Sequence, residues 1–218
     1  AYAYGHQCCD FSDGTLVCLT PGESISMKEN NKEFPSKGWI LAFHPDLICG
    51  TPLGLNIHNY TFFSYCPEEA LHLSLREKQI ILEFLERIRQ ELERCIDRHS
   101  KKIISKYIEL LLDYCTRFYE RQFITRSEVN KKVFREFNHL LDNHFNVKVS
   151  LSTDVLSDEY CANLLHLSPA YFNDLLKYEI GKEFKEYIQF KRFEIAKGWL
   201  VNTDKTLGQI AQELGFSN

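Results

Sequence analysis

The chain has 218 residues, 44% of them apolar and 26% charged, with a formal net charge of −4. This is the composition of a globular protein with room for one large core or two modest ones, and two is the better reading at this length. No apolar run approaches the roughly 20 residues of a membrane helix, and Ala1 to Asp10 lack the basic start and apolar stretch of a signal peptide, so a cytoplasmic protein is expected.

Over residues 1 to 66, Gly and Pro recur (Gly5, Gly14, Pro21, Gly22, Pro35, Gly38) between short runs such as Thr15 to Leu19 and Trp39 to Phe43. Such punctuation predicts strands and turns, a β-rich module. At Ser74 the pattern becomes helical. Ser74-Leu-Arg-Glu77 reads as a capping box, and Ile81, Phe84, Leu85, Ile88, Leu92 and Ile96 fall on one stripe, predicting a helix to about Arg98. A second helix is expected from Ser100, with apolar positions from Ile103 to Tyr119 broad enough to be buried on more than one side. The two helices are expected to pair antiparallel. The Ile81, Phe84, Ile88 stripe serves either that pairing or a homodimer, and a stripe alone does not separate the two.

Thr125-Arg-Ser-Glu128 reads as a further capping box, opening a helix through Val133, Phe137, Leu140 and Leu141. Asn146 to Asp154 is polar and β-branched without a helical period and is expected to link two domains. Beyond it all is helical. Ser168-Pro169 supplies a capping serine with proline at the first helical position, and Gly181 is placed to end that helix. A longer helix follows over Phe184 to Leu200, and Thr206-Leu-Gly-Gln209 opens one that ends at Gly215. Eight cysteines run from Cys8 to Cys161 with no CxxC pair, which reads as small buried residues in a reducing compartment, with redox sensing at Cys8 and Cys9 the lesser alternative.

The most telling pattern is a partial repeat. Tyr160-Cys-Ala-Asn-Leu-Leu-His-Leu-Ser-Pro169 aligns with Gln209-Ile-Ala-Gln-Glu-Leu-Gly-Phe-Ser-Asn218, matching Ala162 to Ala211, Leu165 to Leu214, Leu167 to Phe216 and Ser168 to Ser217. Each copy is a short amphipathic helix, a tight turn and a serine suited to cap the next helix, which is the pattern of a helix-turn-helix. The second copy stops where its following helix would begin, so that motif is expected to be incomplete in this chain.

Tyr160-x-Ala-x-x-Leu-x-Leu-Ser-Pro-x-Tyr-Phe, Lys177-x-x-x-Gly181, Tyr187-Ile188, Ala196 and Ile210-Ala-x-x-Leu-Gly-Phe216 together resemble the AraC family of bacterial transcription regulators. Pro21-Gly22-Glu23, Phe43-His-Pro-Asp46, Phe62-Phe-x-Tyr65 and Glu69-Ala-Leu-His-Leu-Ser74 resemble the cupin-type sensory domains that often precede such modules. The resemblance implies an α+β chain: a partial cupin-like β-barrel over residues 1–73, a helical dimerisation segment over 74–148, and a tandem helix-turn-helix domain over 149–218. It also implies a regulator that binds double-stranded DNA, responds to a small-molecule effector, works with RNA polymerase and forms a homodimer.

Carried onto this sequence, the outer face of the first reader helix is Ala170, Asn173, Asp174 and Lys177. Asn173 suits adenine, and Asp174 either accepts from cytosine or holds Lys177 or Arg192 in place. Ser168, Lys177, Lys191 and Arg192 are expected at phosphates, with Gln209 and Ser217 near phosphate in the second unit. Residues 151–218 nevertheless hold 7 Lys and Arg against 10 Asp and Glu, so binding requires the cations to be gathered in space or to lie beyond Asn218. An effector pocket would be lined by Trp39, Leu41 and Phe43, which are equally readable as core. His6, His44, His58 and His72 lack the spacing of a metal-binding cupin, so no metal, cofactor or catalytic residue is assigned. The competing readings are a metal-dependent cupin enzyme and a sensor that acts through protein contacts alone.

Overall fold

The computed structural model describes residues 8–23, 38–147 and 156–216. The chain divides into two compact units, one within residues 5–125 and one within 126–218.

In the first unit, β1 (Gly14–Leu16) pairs antiparallel with β2 (Leu71–Leu73), in the register Gly14 to Leu73, Thr15 to His72 and Leu16 to Leu71. Among the described residues these are the two strands, and they form no barrel. The expectation of a β-rich module is corrected over residues 45–69, which form α1 (Pro45–Ile48), α2 (Pro52–Asn56) and three 3-10 turns. The physical reason lies in the prolines that suggested turns. Each sits at the first helical position behind a capping residue: the His44 ring accepts from the Asp46 N–H at 3.2 Å, and the Thr51 hydroxyl accepts from the Gly54 N–H at 3.2 Å. A side chain at position 54 would strike the Ile48 carbonyl, so Gly54 is needed for the close approach of α2 to α1.

α3 (Leu75–Leu92) starts at the capping box foreseen at Ser74, with the Ser74 hydroxyl accepting from the Glu77 N–H at 3.3 Å and the Glu77 carboxylate from the Ser74 N–H at 2.9 Å. It ends before Arg98 because Asp97 caps the next helix, accepting from the N–H groups of His99 at 2.7 Å and Ser100 at 3.0 Å. That leaves Ile96 79% exposed instead of on a buried stripe. α4 (Ser100–Thr125) packs back along α3 and carries much of the core, including Ile108, Leu112, Cys115, Phe118 and Tyr119. Tyr119 stacks on Phe62 at 5.4 Å and meets Tyr65 edge-on at 5.2 Å, which ties the 3-10 turns to the helical pair. Ile81 and Ile88 of the expected dimerisation stripe are buried, and Phe84 lies against Tyr114 of α4 at 5.4 Å. This face serves packing within the chain.

α4 also closes the sheet. The Gln122 side chain, itself buried, accepts from the His72 N–H at 2.8 Å and donates to the Ala70 carbonyl at 3.1 Å. Arg121 donates to the His72 carbonyl at 2.7 Å and pairs with Glu77 at 2.8 Å. The capping box expected at Thr125 does not open the next helix: Thr125 is the last residue of α4, its hydroxyl donating to the Gln122 carbonyl at 3.1 Å, and the following helix starts at Ser127.

The second unit begins with α5 (Ser127–Val147), followed by α6 (Asp158–Leu164), α7 (Pro169–Ile180), α8 (Phe184–Asn202) and α9 (Leu207–Glu213). Its core is aromatic. Phe137 of α5 meets Phe172 edge-on at 5.0 Å and lies within 6.0 Å of Phe184 and 5.8 Å of Tyr187, whose hydroxyl donates to Asn138 at 2.6 Å. The expected linker, Asn146 to Asp154, lies almost wholly outside the described residues. Five of the eight cysteines are exposed, which corrects their reading as core residues, while burial pushes the Cys18 thiol up to about 12 and Cys161 to about 11.

Candidate nucleic-acid interface

The sequence repeat is a repeat of backbone hydrogen bonds. Ser157 caps α6 by accepting from the Tyr160 N–H at 3.0 Å, and Thr206 caps α9 by accepting from the Gln209 N–H at 3.3 Å. At the other end of α6, the Leu167 N–H reaches the Ala162 carbonyl at 2.9 Å and the His166 N–H the Asn163 carbonyl at 3.1 Å. After α9, the Phe216 N–H reaches Ala211 at 2.9 Å and the Gly215 N–H reaches Gln212 at 3.3 Å. Both exits are Schellman turns, which need one residue in the left-handed region. Gly215 supplies it with φ 70°, and His166 supplies it with φ 57°.

An L-residue in that conformation is strained by about 1–2 kcal/mol. His166→Gly is therefore expected to stabilise the second unit by about 0.5–1 kcal/mol, the strain relieved less the entropy that glycine adds to the unfolded chain. Chemical denaturation followed by circular dichroism reads the shift; a loss of stability would refute it.

The turn delivers α7 with Ser168 at its cap, the buried hydroxyl accepting from the Tyr171 N–H at 3.2 Å. Tyr171, Phe172, Leu175 and Leu176 face inward and are fully buried, leaving Ala170, Asn173 and Asp174 half-buried and Lys177 exposed on the opposite face. Gly181 ends α7 in the left-handed region, as its position suggested.

Several of the expected DNA contacts are occupied by neighbours. The Asn173 amide donates to the Asp158 carboxylate at 3.0 Å and to the Pro169 carbonyl at 3.1 Å, so pairing with an adenine requires those bonds to be exchanged. Lys177 pairs with Glu183 at 3.1 Å, and Lys191 lies 3.8 Å from Asp142 and 5.9 Å from the Tyr187 ring centre. The Lys177 pair is exposed, and such pairs are worth at most about 1 kcal/mol, so a phosphate displaces it at little cost. The Arg192 Nε is buried with no hydrogen-bond partner among the described residues, and its Nη2 lies near Gly215 at the second turn. Gln209 is exposed, with its side chain accepting from the Thr206 N–H at 2.9 Å, and Ser217 lies outside the described residues.

Sequence reasoning missed Lys182 and Lys185. Both are exposed at the start of α8, and neither makes an ion pair among the described residues. The signal was their place directly after the helix-ending Gly181, where a chain reversal leaves side chains projecting. In the first unit, Trp39 is 54% exposed, and Leu41 and Phe43 are half-buried on an irregular segment before α1. Among the described residues no three His, Cys, Asp or Glu side chains gather as a metal-binding group, and no helix is long and apolar enough to cross a membrane.

Comparison with known proteins locates the same segment. Residues 161–218 match the family described as a helix-turn-helix domain. A stretch of 91 residues is 30% identical to an uncharacterized HTH-type transcriptional regulator, YtdP, of Bacillus subtilis (strain 168), covering 42% of this chain and 12% of that protein. No solved structure matches the chain. The two capped helices leaving through the same Schellman turn agree with that match, and the segment it covers is a helix-turn-helix domain.

Proposed function

We propose that the chain acts as a sequence-specific DNA-binding transcription regulator, with α7 as its first reader helix in the major groove. The observation that carries this reading is the repeated capped-helix and Schellman-turn unit within the matched helix-turn-helix segment. α8, with 19 residues, is about 28 Å long at 1.5 Å per residue. That length suits a strut between readers in successive major grooves, about 34 Å apart. Base readout falls to Ala170, Asn173 and Asp174; Ser168, Lys177, Lys182, Lys185, Lys191, Gln209 and Ser217 serve the phosphates. A small-molecule effector acts on the first unit, with the aromatic segment around Trp39, Leu41 and Phe43 as its contact. A homodimer, RNA polymerase as partner and a cytoplasmic location follow from the same reading.

The test is retention of fragmented genomic DNA by the intact protein at two salt concentrations, followed by titration of a recovered site. Specific binding that weakens steeply with salt is expected. Lys182→Glu with Lys185→Glu should weaken it about tenfold or more on every sequence and flatten the salt slope by about 1–2. Binding that ignores salt, or none in the presence and absence of candidate effectors, would overturn the proposal.

A further inference from the structure

The turn between α3 and α4 carries a charge unlike the rest of the chain. From residue 94 to 106 there are five cations (Arg94, Arg98, Lys101, Lys102 and Lys106) and one carboxylate, Asp97, in a protein whose net charge is −4. All five are exposed, and none makes an ion pair among the described residues. Several cations elsewhere are paired, Arg89 with Glu86 and Glu93, Lys131 with Glu128 and Lys197 with Glu194, and nowhere else among the described residues do five unpaired ones fall within 13 positions. The single carboxylate is already used as the α4 cap, accepting from the His99 and Ser100 N–H groups. Its charge is set against the helix N-terminus and not against the lysines.

The same end of the hairpin exposes apolar side chains. Ile96 is 79% exposed, Leu92 58% and Ile103 36%. Phosphate alone would satisfy the cations and leave these three in water. A protein segment with carboxylates flanking an apolar stripe satisfies both, since it buries the aliphatic groups and brings opposite charge to the surrounding ring. We infer that the α3–α4 turn is a docking surface for an acidic amphipathic helix of a partner protein, with Leu92, Ile96 and Ile103 as its apolar centre and the five cations as its rim. The rim sets the encounter rate and its salt dependence, and the apolar centre sets the lifetime of the complex.

The probe is a fluorescein-labelled 20-residue peptide of Leu and Glu in helical amphipathic spacing, titrated with the intact protein. Binding is expected to weaken about tenfold or more between 50 and 500 mM salt. Lys101→Glu with Lys102→Glu should weaken it by a similar factor, as should Ile96→Ser with Leu92→Ser. All four positions are exposed, so the melting temperature should not move; if one pair disturbs folding, Arg94→Glu with Arg98→Glu replaces it. A control peptide with Gln in place of Leu should bind at least tenfold more weakly. Equal binding of the two peptides would overturn the proposal, and so would no binding of the Leu/Glu peptide. Preference for non-operator duplex DNA or phosphatidylglycerol vesicles, lost with the lysines and indifferent to Ile96, would overturn it in favour of a polyanion site.

Discussion

Phe137→Ala is expected to cost the second unit about 3–5 kcal/mol, the range for removing a fully buried aromatic ring. Phe137 is 0% exposed and touches the rings of Phe172, Phe184 and Tyr187, one from α7 and two from α8. Alanine there opens a cavity beneath both helices at once. These residues cannot close over it, because Tyr187 is held by Asn138 and Phe172 lies between buried neighbours on α7. A loss of this size is a large part of the stability of a small unit, so DNA binding should fall with folding although position 137 touches no DNA. Denaturant titration of the intact protein, with hydrogen exchange of the α7 and α8 amides, measures it. A cost under about 1.5 kcal/mol would show that α5 is not integral to the unit, since even volume-conserving core swaps approach that figure.

Gln122→Leu has nearly the same volume but a different penalty. The amide satisfies two backbone groups of the β2 segment, the His72 N–H and the Ala70 carbonyl, where water has little access. Leucine leaves both unpaired at about 1–3 kcal/mol each, so the first unit should lose about 2–6 kcal/mol. Gln122→Glu separates the two bonds only when ionised, since a carboxylate still accepts from His72 but cannot donate to Ala70, whereas the protonated acid can do both. It should approach wild type where the acid is protonated and fall below Leu where the buried charge persists. Thermal unfolding of the three proteins gives the order, and a Gln122→Leu protein as stable as wild type would refute the role of the amide.

The legible parts of this fold are those written in local chemistry. The caps at Ser74, Ser168 and Thr206 and the stop at Gly181 are formed where the residues announced them, because each is settled within four residues. The inward face of α7 was equally legible from its spacing. The illegible parts fall into two kinds. His44-Pro45, Thr51-Pro52 and Cys66-Pro67 are as good a helix start as a turn between strands, and only tertiary packing chose the helices. The second kind is long-range: Gln122 on β2, and Asp158 on Asn173. Nothing within a window of sequence links such residues. The apolar side of α7 was therefore legible and its polar surroundings were not, since ion pairs on Lys177 and Lys191 and the unpaired state of Lys182 and Lys185 depend on which neighbours the fold supplies.

The side chains that α4 extends to β2 have a consequence for how this protein behaves when crowded. An unpaired strand edge is a template on which another chain can grow a sheet. Residue His72 presents its N–H and its carbonyl to the outer side of β2, and Gln122 and Arg121 occupy both. No incoming strand can register there without displacing a buried amide and a guanidinium held by Glu77. The outer edge of β2 is thus closed to sheet growth, and a variant lacking Gln122 would begin to open it, with aggregation during synthesis as its mark as well as a lower melting temperature.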